Sequence, residues 1–191
     1  MKNVFVITGL LIIAGFGFKT MNHNLYAAPV YSDTQYVCLP CGSDCDKTLY
    51  TKPGTCTHCN MPLVKKTTVK FKAIAPVALC NFIKNKGKEN VVLLDVRTAA
   101  EFNGTAPDKF GKLAGAINIP IQELDKRIAE LNPYKNKEIV VYCSHSHRSP
   151  RASYMLMQKG FTKVTNMELG MSEWTNSTTP SDCNNKLYVK Q

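Results

Sequence analysis

Two unbroken apolar runs, Val91-Val92-Leu93-Leu94 and Ile139-Val140-Val141-Tyr142, restrict the folds open to this chain more than any other feature. A strand with water on one face alternates apolar and polar residues, so a run without alternation belongs to a strand covered on both faces. Helices cover such a sheet, and the flanking sequence supplies them. Ala75-Pro76 suits a helix start, Val77, Leu79, Cys80, Phe82 and Ile83 give that helix an apolar face, and Gly87 ends it. A short helix is expected over Ala99 to Phe102 and a longer one over Ile121 to Leu131, with Leu124, Ile128 and Leu131 inward. Another is expected over Ser149 to Lys159, stopped by Gly160. Thr67 to Ile74, Ala116 to Ile119 and Val164 to Met167 read as further strands, with Ile139 to Tyr142 central. Strands and helices alternating at these lengths predict an α/β domain, a parallel sheet flanked by helices.

At 191 residues the chain has room for one such domain and a smaller appendage. Lys and Arg outnumber Asp and Glu by 24 to 14, but the lysines are scattered rather than blocked. That pattern predicts a solvated basic surface and no nucleic-acid partner. The first residues read Met1-Lys2-Asn3, then the apolar stretch Val4 to Phe18, then Lys19 to Asn24 and Leu25-Tyr26-Ala27-Ala28. A basic start, an apolar run shorter than the roughly 20 residues of a membrane helix, and small residues behind it predict an export signal or N-terminal anchor over residues 1–28. Cleavage after Ala27 suits the sequence; retention would tether the protein, the one membrane contact expected. Either way the chain is expected to be exported, periplasmic or anchored facing the periplasm.

Five of the eight cysteines fall between Cys38 and Cys59, while Cys80, Cys143 and Cys183 stand apart. A Cys80 to Cys183 bridge is compatible with the sequence but cannot be read from it. Cys38-x-x-Cys41 and Cys56-x-x-Cys59 are two tight-turn pairs with fourteen residues between them, close to zinc-ribbon spacing. Gly42 supplies a positive φ after the first pair, and Asn60 tolerates one after the second. The expectation is a small metal-binding module over residues 36–66, its Zn²⁺ structural, held by Cys38, Cys41, Cys56 and Cys59, with Cys45 and His58 as spare donors. A soft-metal carrier or a pair of disulfides fits the same spacing. The larger domain is expected over 73–178, followed by a tail over 179–191.

The second apolar run ends in Cys143, and Ser144-His145-Ser146-His147-Arg148 leads into a helix beginning Ser149-Pro150. This puts the sulfur over a helix N-terminus, where unpaired N–H groups carry partial positive charge. A thiol there is expected to ionise below its ordinary value of about 8.5. Carboxyl ends of strands are the usual location for sites in such sheets. The predicted chemistry is nucleophilic attack by sulfur on an anionic substrate, without a catalytic cofactor.

From about Ile74 to Asn176 the chain resembles the rhodanese (thiosulfate sulfurtransferase) family. The resemblance lies in an ordered set: Val92-Leu93-Leu94-Asp95-Val96-Arg97, Glu101-Phe102, Ala114-Gly115-Ala116-Ile117-Asn118-Ile119-Pro120, Val140-Val141-Tyr142-Cys143 with Arg148-Ser149, and Leu169-Gly170-Met171-Ser172-Glu173-Trp174. It implies that Cys143 takes sulfane sulfur from a small anionic donor such as thiosulfate, holds it as a persulfide and passes it to cyanide or a thiol. Ser144, His145, Ser146 and His147 would form the substrate-binding loop. Arg148 would bind the donor anion or fix the loop by bonding its carbonyls. Asp95 and Arg97 would support the site. Lys112 stands where many relatives have His, and His145 and His147 where relatives often have Gly or Lys. These two histidines read either as substrate contacts and acid-base groups or as exposed loop residues. Phosphatases of related fold place five residues between Cys and Arg; here there are four, a smaller ring that suits sulfur better than a phosphoryl or arsenate group and leaves phosphatase or arsenate-reductase chemistry as a lesser alternative. The module resembles the heavy-metal-binding domain found beside metal-export proteins, with Cys41 where His is usual. A non-enzymatic metal-handling or persulfide-binding protein is the competing expectation.

Overall fold

In a computed structural model, which describes residues 34–176 and 182–191, the two apolar runs lie side by side as parallel strands. The expected signal or anchor over 1–28 falls outside the described residues. Among the described residues no helix is long and apolar enough to cross a membrane.

In chain order the elements are β1 (Tyr36–Val37), β2 (Leu49–Tyr50), β3 (Val64–Lys65), β4 (Lys72–Ile74), α1 (Leu79–Lys86), β5 (Val91–Asp95), α2 (Ala99–Asn103), β6 (Lys112–Leu113), β7 (Ile117–Asn118), α3 (Ile121–Arg127), β8 (Glu138–Tyr142), α4 (Arg148–Gln158), β9 (Val164–Met167), α5 (Gly170–Asn176), α6 (Asp182–Leu187) and β10 (Tyr188–Val189). A five-stranded sheet runs β4-β9-β8-β5-β7, parallel at every pairing. All five residues of β8 are buried. Successive residues point to opposite faces of a strand. Accordingly Ile139, Val141 and Cys143 pack with Leu124 of α3 and Ala152 and Leu156 of α4. Val140 and Tyr142 pack with Leu79 and Ile83 of α1 and with Met171. Both faces are covered, which is why β8 carries no alternation. Each fully buried aliphatic here contributes about 1.5–3 kcal/mol.

Two elements differ from expectation, each for a local reason. Only Lys72–Ile74 pairs as β4, because Lys66–Thr68 forms a 3-10 turn whose Thr68 hydroxyl donates to the Lys65 carbonyl at 2.6 Å. Val69 and Phe71 turn instead toward the cysteine module. The helix expected to reach Leu131 is α-helical only to Arg127 and tightens to 3-10 over Ile128–Tyr134. Pro133 lies in that stretch, without an N–H and with a ring that crowds the preceding turn. Within the expected tail the described residues 182–191 carry α6 and β10, and β10 pairs antiparallel with β6, matching Tyr188 to Leu113 and Val189 to Lys112. A Cys80–Cys183 disulfide ties α6 to α1 across 103 residues. Asn184 reinforces the tie, accepting from Cys80 N at 3.2 Å and donating to the Val77 carbonyl at 3.0 Å.

The module is a three-stranded antiparallel sheet, β2-β1-β3. Its interior is Cys38, Leu39, Cys41, Cys45, Cys56 and Met61, too little apolar surface to hold some thirty residues alone. Tyr154 of α4 packs on it and shares a 3.0 Å hydrogen bond with Thr68. The described residues of the module and of the larger domain belong to one compact unit.

Candidate active site

Cys143 follows the last residue of β8 and is 1% exposed. Its sulfur reaches the first turn of α4, with Sγ donating to Ser149 Oγ at 3.4 Å. The N-terminal residue His147 makes no side-chain cap, so the first-turn amides of α4 keep the free donors that every helix start carries. Met171 N and Ser172 N donate to the carbonyls of Cys143 and Ser144, both at 2.9 Å. The loop carbonyls are thus held toward α5, and the amides of the same peptide planes lie on the opposite side. Ser146 adopts a left-handed backbone, φ 63°, which turns the loop back on itself. Its hydroxyl is buried and has no hydrogen-bond partner among the described residues.

Gly170 sets how closely α5 approaches. Its φ is 64°, and a β-carbon there would stand 2.6 Å from the Ser144 carbonyl oxygen and nearer still to that of Cys143. Only glycine allows this fit.

Arg148 holds the far end of the loop, though not through its carbonyls. The guanidinium donates to Glu101 Oε2 at 2.7 Å and Oε1 at 2.6 Å, and to Ser144 Oγ at 2.9 Å. Ser144 donates to Glu101 at 2.9 Å, closing a three-residue ring of bonds. Glu101 is placed by a capping box at the start of α2, with Thr98 N and Oγ1 both donating to its Oε2 and Glu101 N donating back to Thr98 Oγ1. The hydrogen bonds from Arg148, acting against burial and helped by Thr98, hold the Glu101 carboxyl well below the usual carboxylate range. Arg148 therefore already has an anion, supplied by the protein.

Asp95 and Arg97 lie beneath the loop as a fully buried pair. Asp95 is in register with Tyr142, one residue before the cysteine. Arg97 Nε and Nη2 donate to its carboxylate at 3.0 and 2.7 Å, and Nη2 also donates to the Gly111 carbonyl at 2.8 Å. Burial opposes the charge on Arg97, but the bonds to Asp95 outweigh it and raise its pKa. Asn118 Nδ2 ties down the carbonyls of both residues at 3.0 Å.

Ser144 and Ser146 are buried, while His145 and His147 are exposed on the loop. The ring of His145 meets Phe110 edge-on, with centroids 5.1 Å apart. Lys112 lies over the Phe102 ring at 4.3 Å. Glu101, Ser149 and Gly170 complete the arrangement. All three stood in the ordered motifs; Glu101 also carried a signal of its own, the Thr98-x-x-Glu101 capping spacing.

The second cluster is the module's. Turns with positive φ at Gly42 and Asn60 shape the two Cys-x-x-Cys segments, as expected. The sulfurs of Cys38, Cys41, Cys45 and Cys59 all lie within 4.8 Å of one another. This set takes Cys45 where the pairwise spacing suggested Cys56. The reason is the 3-10 turn Asp44–Lys47, fixed by Asp46 accepting from Cys41 N and Gly42 N at 2.9 and 2.8 Å, which carries Cys45 in toward Cys41. Cys56 stays adjacent, its Sγ 3.8 Å from the Tyr50 hydroxyl and pulled down to about 6 chiefly by the Cys59 backbone N–H, against burial. Burial first, then the neighbouring thiols, push Cys38 and Cys45 up. Sulfurs about 3.8 Å apart are what a tetrahedral ion with bonds of about 2.3 Å requires. Cys38 to Cys59 at 3.1 Å and Cys41 to Cys45 at 3.5 Å approach that geometry, so the residues present fit a soft metal ion.

The family profile of the rhodanese-like domain matches residues 81–177. The Bacillus subtilis protein YrkF is 36% identical over 90 residues, 47% of this chain and 44% of its own. A sulfurtransferase of Allochromatium vinosum is 34% identical over 87 residues, covering 45% of this chain and 73% of its own. The thiosulfate sulfurtransferase PspE of Escherichia coli is 44% identical over 52 residues, 27% of this chain and 50% of its own. The chain thus spans less than half of YrkF and half of PspE.

Proposed function

The chain belongs to the rhodanese-like domain family, and on that premise we propose that it is a sulfurtransferase whose Cys143 carries the sulfur as a persulfide. The observation that carries this reading is the Cys143 loop, with its sulfur against the first turn of α4 and its carbonyls tied back to α5. Amides of the loop and of the first turn of α4, turned toward the sulfur, would stabilise an anion on it as an oxyanion hole stabilises one on oxygen. In the first half-reaction the Cys143 thiolate attacks the outer sulfur of thiosulfate, an S–S bond forms, the donor's own S–S bond breaks, and sulfite leaves with the electron pair. In the second, cyanide attacks the outer sulfur of the persulfide, thiocyanate leaves, and the Cys143 thiolate is restored.

Arg148 serves this chemistry by fixing the loop, because Glu101 already occupies its fork. The donor's charge falls to the loop amides, the unpartnered Ser146 hydroxyl and the exposed His145 and His147. Asp95 and Arg97 support the strand end. The name of PspE favours thiosulfate as donor. Thiosulfate-dependent thiocyanate formation, with Cys143→Ser as control, is the test: the variant should be inactive, and activity equal to the parent's would remove Cys143 from the mechanism.

The metal we assign to the module is zinc, held by Cys38, Cys41, Cys45 and Cys59; bound there it would supply folding free energy rather than catalysis. One observation favours metal handling as a second reading. Cys56 is a fifth thiol beside the set, and a surplus ligand is what exchange between ions requires. Export is supported by the N-terminal sequence and by the Cys80–Cys183 disulfide, a bond typical of oxidising compartments.

A further inference from the structure

A cavity of about 340 Å³ lies between α1, the start of β5, the Ala114-Gly115 turn and α6. Val91, one of its walls, pairs with Glu138 at the beginning of the sheet strands, whereas Cys143 follows their carboxyl ends. The cavity and the Cys143 loop are therefore at opposite ends of the sheet.

The lining divides by chemistry. Ile83, Leu93 and Leu187 form apolar walls, with the Cys80–Cys183 disulfide between the two helices. Ile83 and Leu93 are 8% and 7% exposed, so this apolar surface is set deep in the domain. Lys84, Lys88 and Lys186 line the cavity as well, and all three are exposed residues that mark its mouth. No Asp or Glu is among the lining residues, and among the described residues none of the three lysines forms an ion pair. Three cations over an apolar cup are complementary to one kind of molecule, with an apolar body and a single anionic head. The volume is at the small end of the roughly 300–1,000 Å³ of small-molecule sites, which suits one short chain rather than a two-chain lipid.

The wall contributed by α6 lies outside the matched family range. The family match ends at residue 177, and Cys183, Lys186 and Leu187 lie beyond it. They are held in place by the disulfide, by Asn184 and by Ala114 N donating to the Leu187 carbonyl at 2.7 Å. We propose that this cavity binds a medium-chain aliphatic carboxylate, its chain among Ile83, Leu93 and Leu187 and its head group at Lys84, Lys88 and Lys186.

Calorimetric titration of the full-length protein with decanoate, and with decyltrimethylammonium as the matched cation, tests this below the micellar concentration of each. Decanoate should bind with one site per chain, at least tenfold more tightly than the cation. Lys84→Glu combined with Lys186→Glu should weaken decanoate at least tenfold while leaving thiosulfate-to-cyanide transfer unchanged, since both residues are exposed and distant from Cys143. Ala114→Trp, which fills the mouth, should abolish binding. Absence of decanoate binding in the parent protein would overturn the proposal. So would equal affinity for the two amphiphiles, or unchanged affinity in the charge-reversed variant, either of which would mean an apolar cavity without a head-group site.

Discussion

Replacing Glu101 by Gln should separate the two roles open to Arg148. Glutamine still satisfies the capping box at the start of α2, so the change is confined to the contact with the loop. The carboxylate takes two bonds of 2.6 and 2.7 Å from the Arg148 fork, and glutamine offers one oxygen and turns an N–H toward the other nitrogen. Hydrogen bonds to charged groups contribute about 1.5–3 kcal/mol each. The Arg148 and Glu101 side chains are 25% and 16% exposed, so solvent screens the pair in part and the lower figure applies. A loss of about 1.5 kcal/mol follows, roughly a 13-fold shift in the folding equilibrium. Urea unfolding of Glu101→Gln, Arg148→Lys and the double variant should give a coupling of about 1–2 kcal/mol, because Lys keeps the charge but not the fork. The acid limb should change too. A carboxyl held low in the folded state stabilises fully above its unfolded value of about 4.3 and loses that contribution as pH falls below it. Stability of the variant should therefore fall less steeply below about pH 4. In catalysis, kcat should drop while KM for thiosulfate changes little. Additive free energies within about 0.5 kcal/mol, or an effect carried by KM, would refute the loop-fixing role and return Arg148 to the donor anion.

Gly170→Ala should lower thiocyanate formation sharply and cost about 1–3 kcal/mol in thermal or urea unfolding, since the added carbon meets the Ser144 carbonyl and the backbone is left-handed there. Cys183→Ser should lower stability by about 2–5 kcal/mol, because the bond it removes closes a 103-residue separation, and an equal midpoint with and without dithiothreitol would argue against the bond. Cys45→Ser should remove bound zinc as completely as Cys41→Ser does, measured by metal analysis of purified protein, and Cys56→Ser should retain it. The reverse pattern would restore the two Cys-x-x-Cys pairs as the ligand set.

The α/β core was legible because burial on both faces leaves a direct mark, an apolar run without alternation, and β5 and β8 both carry it. The loop was legible for a related reason: a cysteine at the end of such a run and a helix start after it admit few geometries. What escaped was whatever depends on contacts between distant segments. The sequence around Arg148 does not say that its partner is Glu101, 47 residues away, and neither reading given for the arginine included that ion pair. Cys45 enters the thiol cluster through a turn that Asp46 holds, a contact invisible to a spacing rule built on Cys-x-x-Cys pairs. The ordering of α6 and β10 rests on a disulfide and two long-range hydrogen bonds of Asn184, one accepted from Cys80 N and one donated to the Val77 carbonyl, and the local sequence Asp182-Cys183-Asn184-Asn185 has no strong propensity to announce it.

Incubating the protein with thiosulfate and measuring the intact mass, then that of the peptide containing Cys143, tests the sulfur-carrier role most directly. One added sulfur, about 32 Da, should be found on Cys143 and should vanish on addition of cyanide with release of an equivalent of thiocyanate. An unmodified Cys143 after exposure to thiosulfate, or sulfur that accumulates only on the module's cysteines, would contradict it.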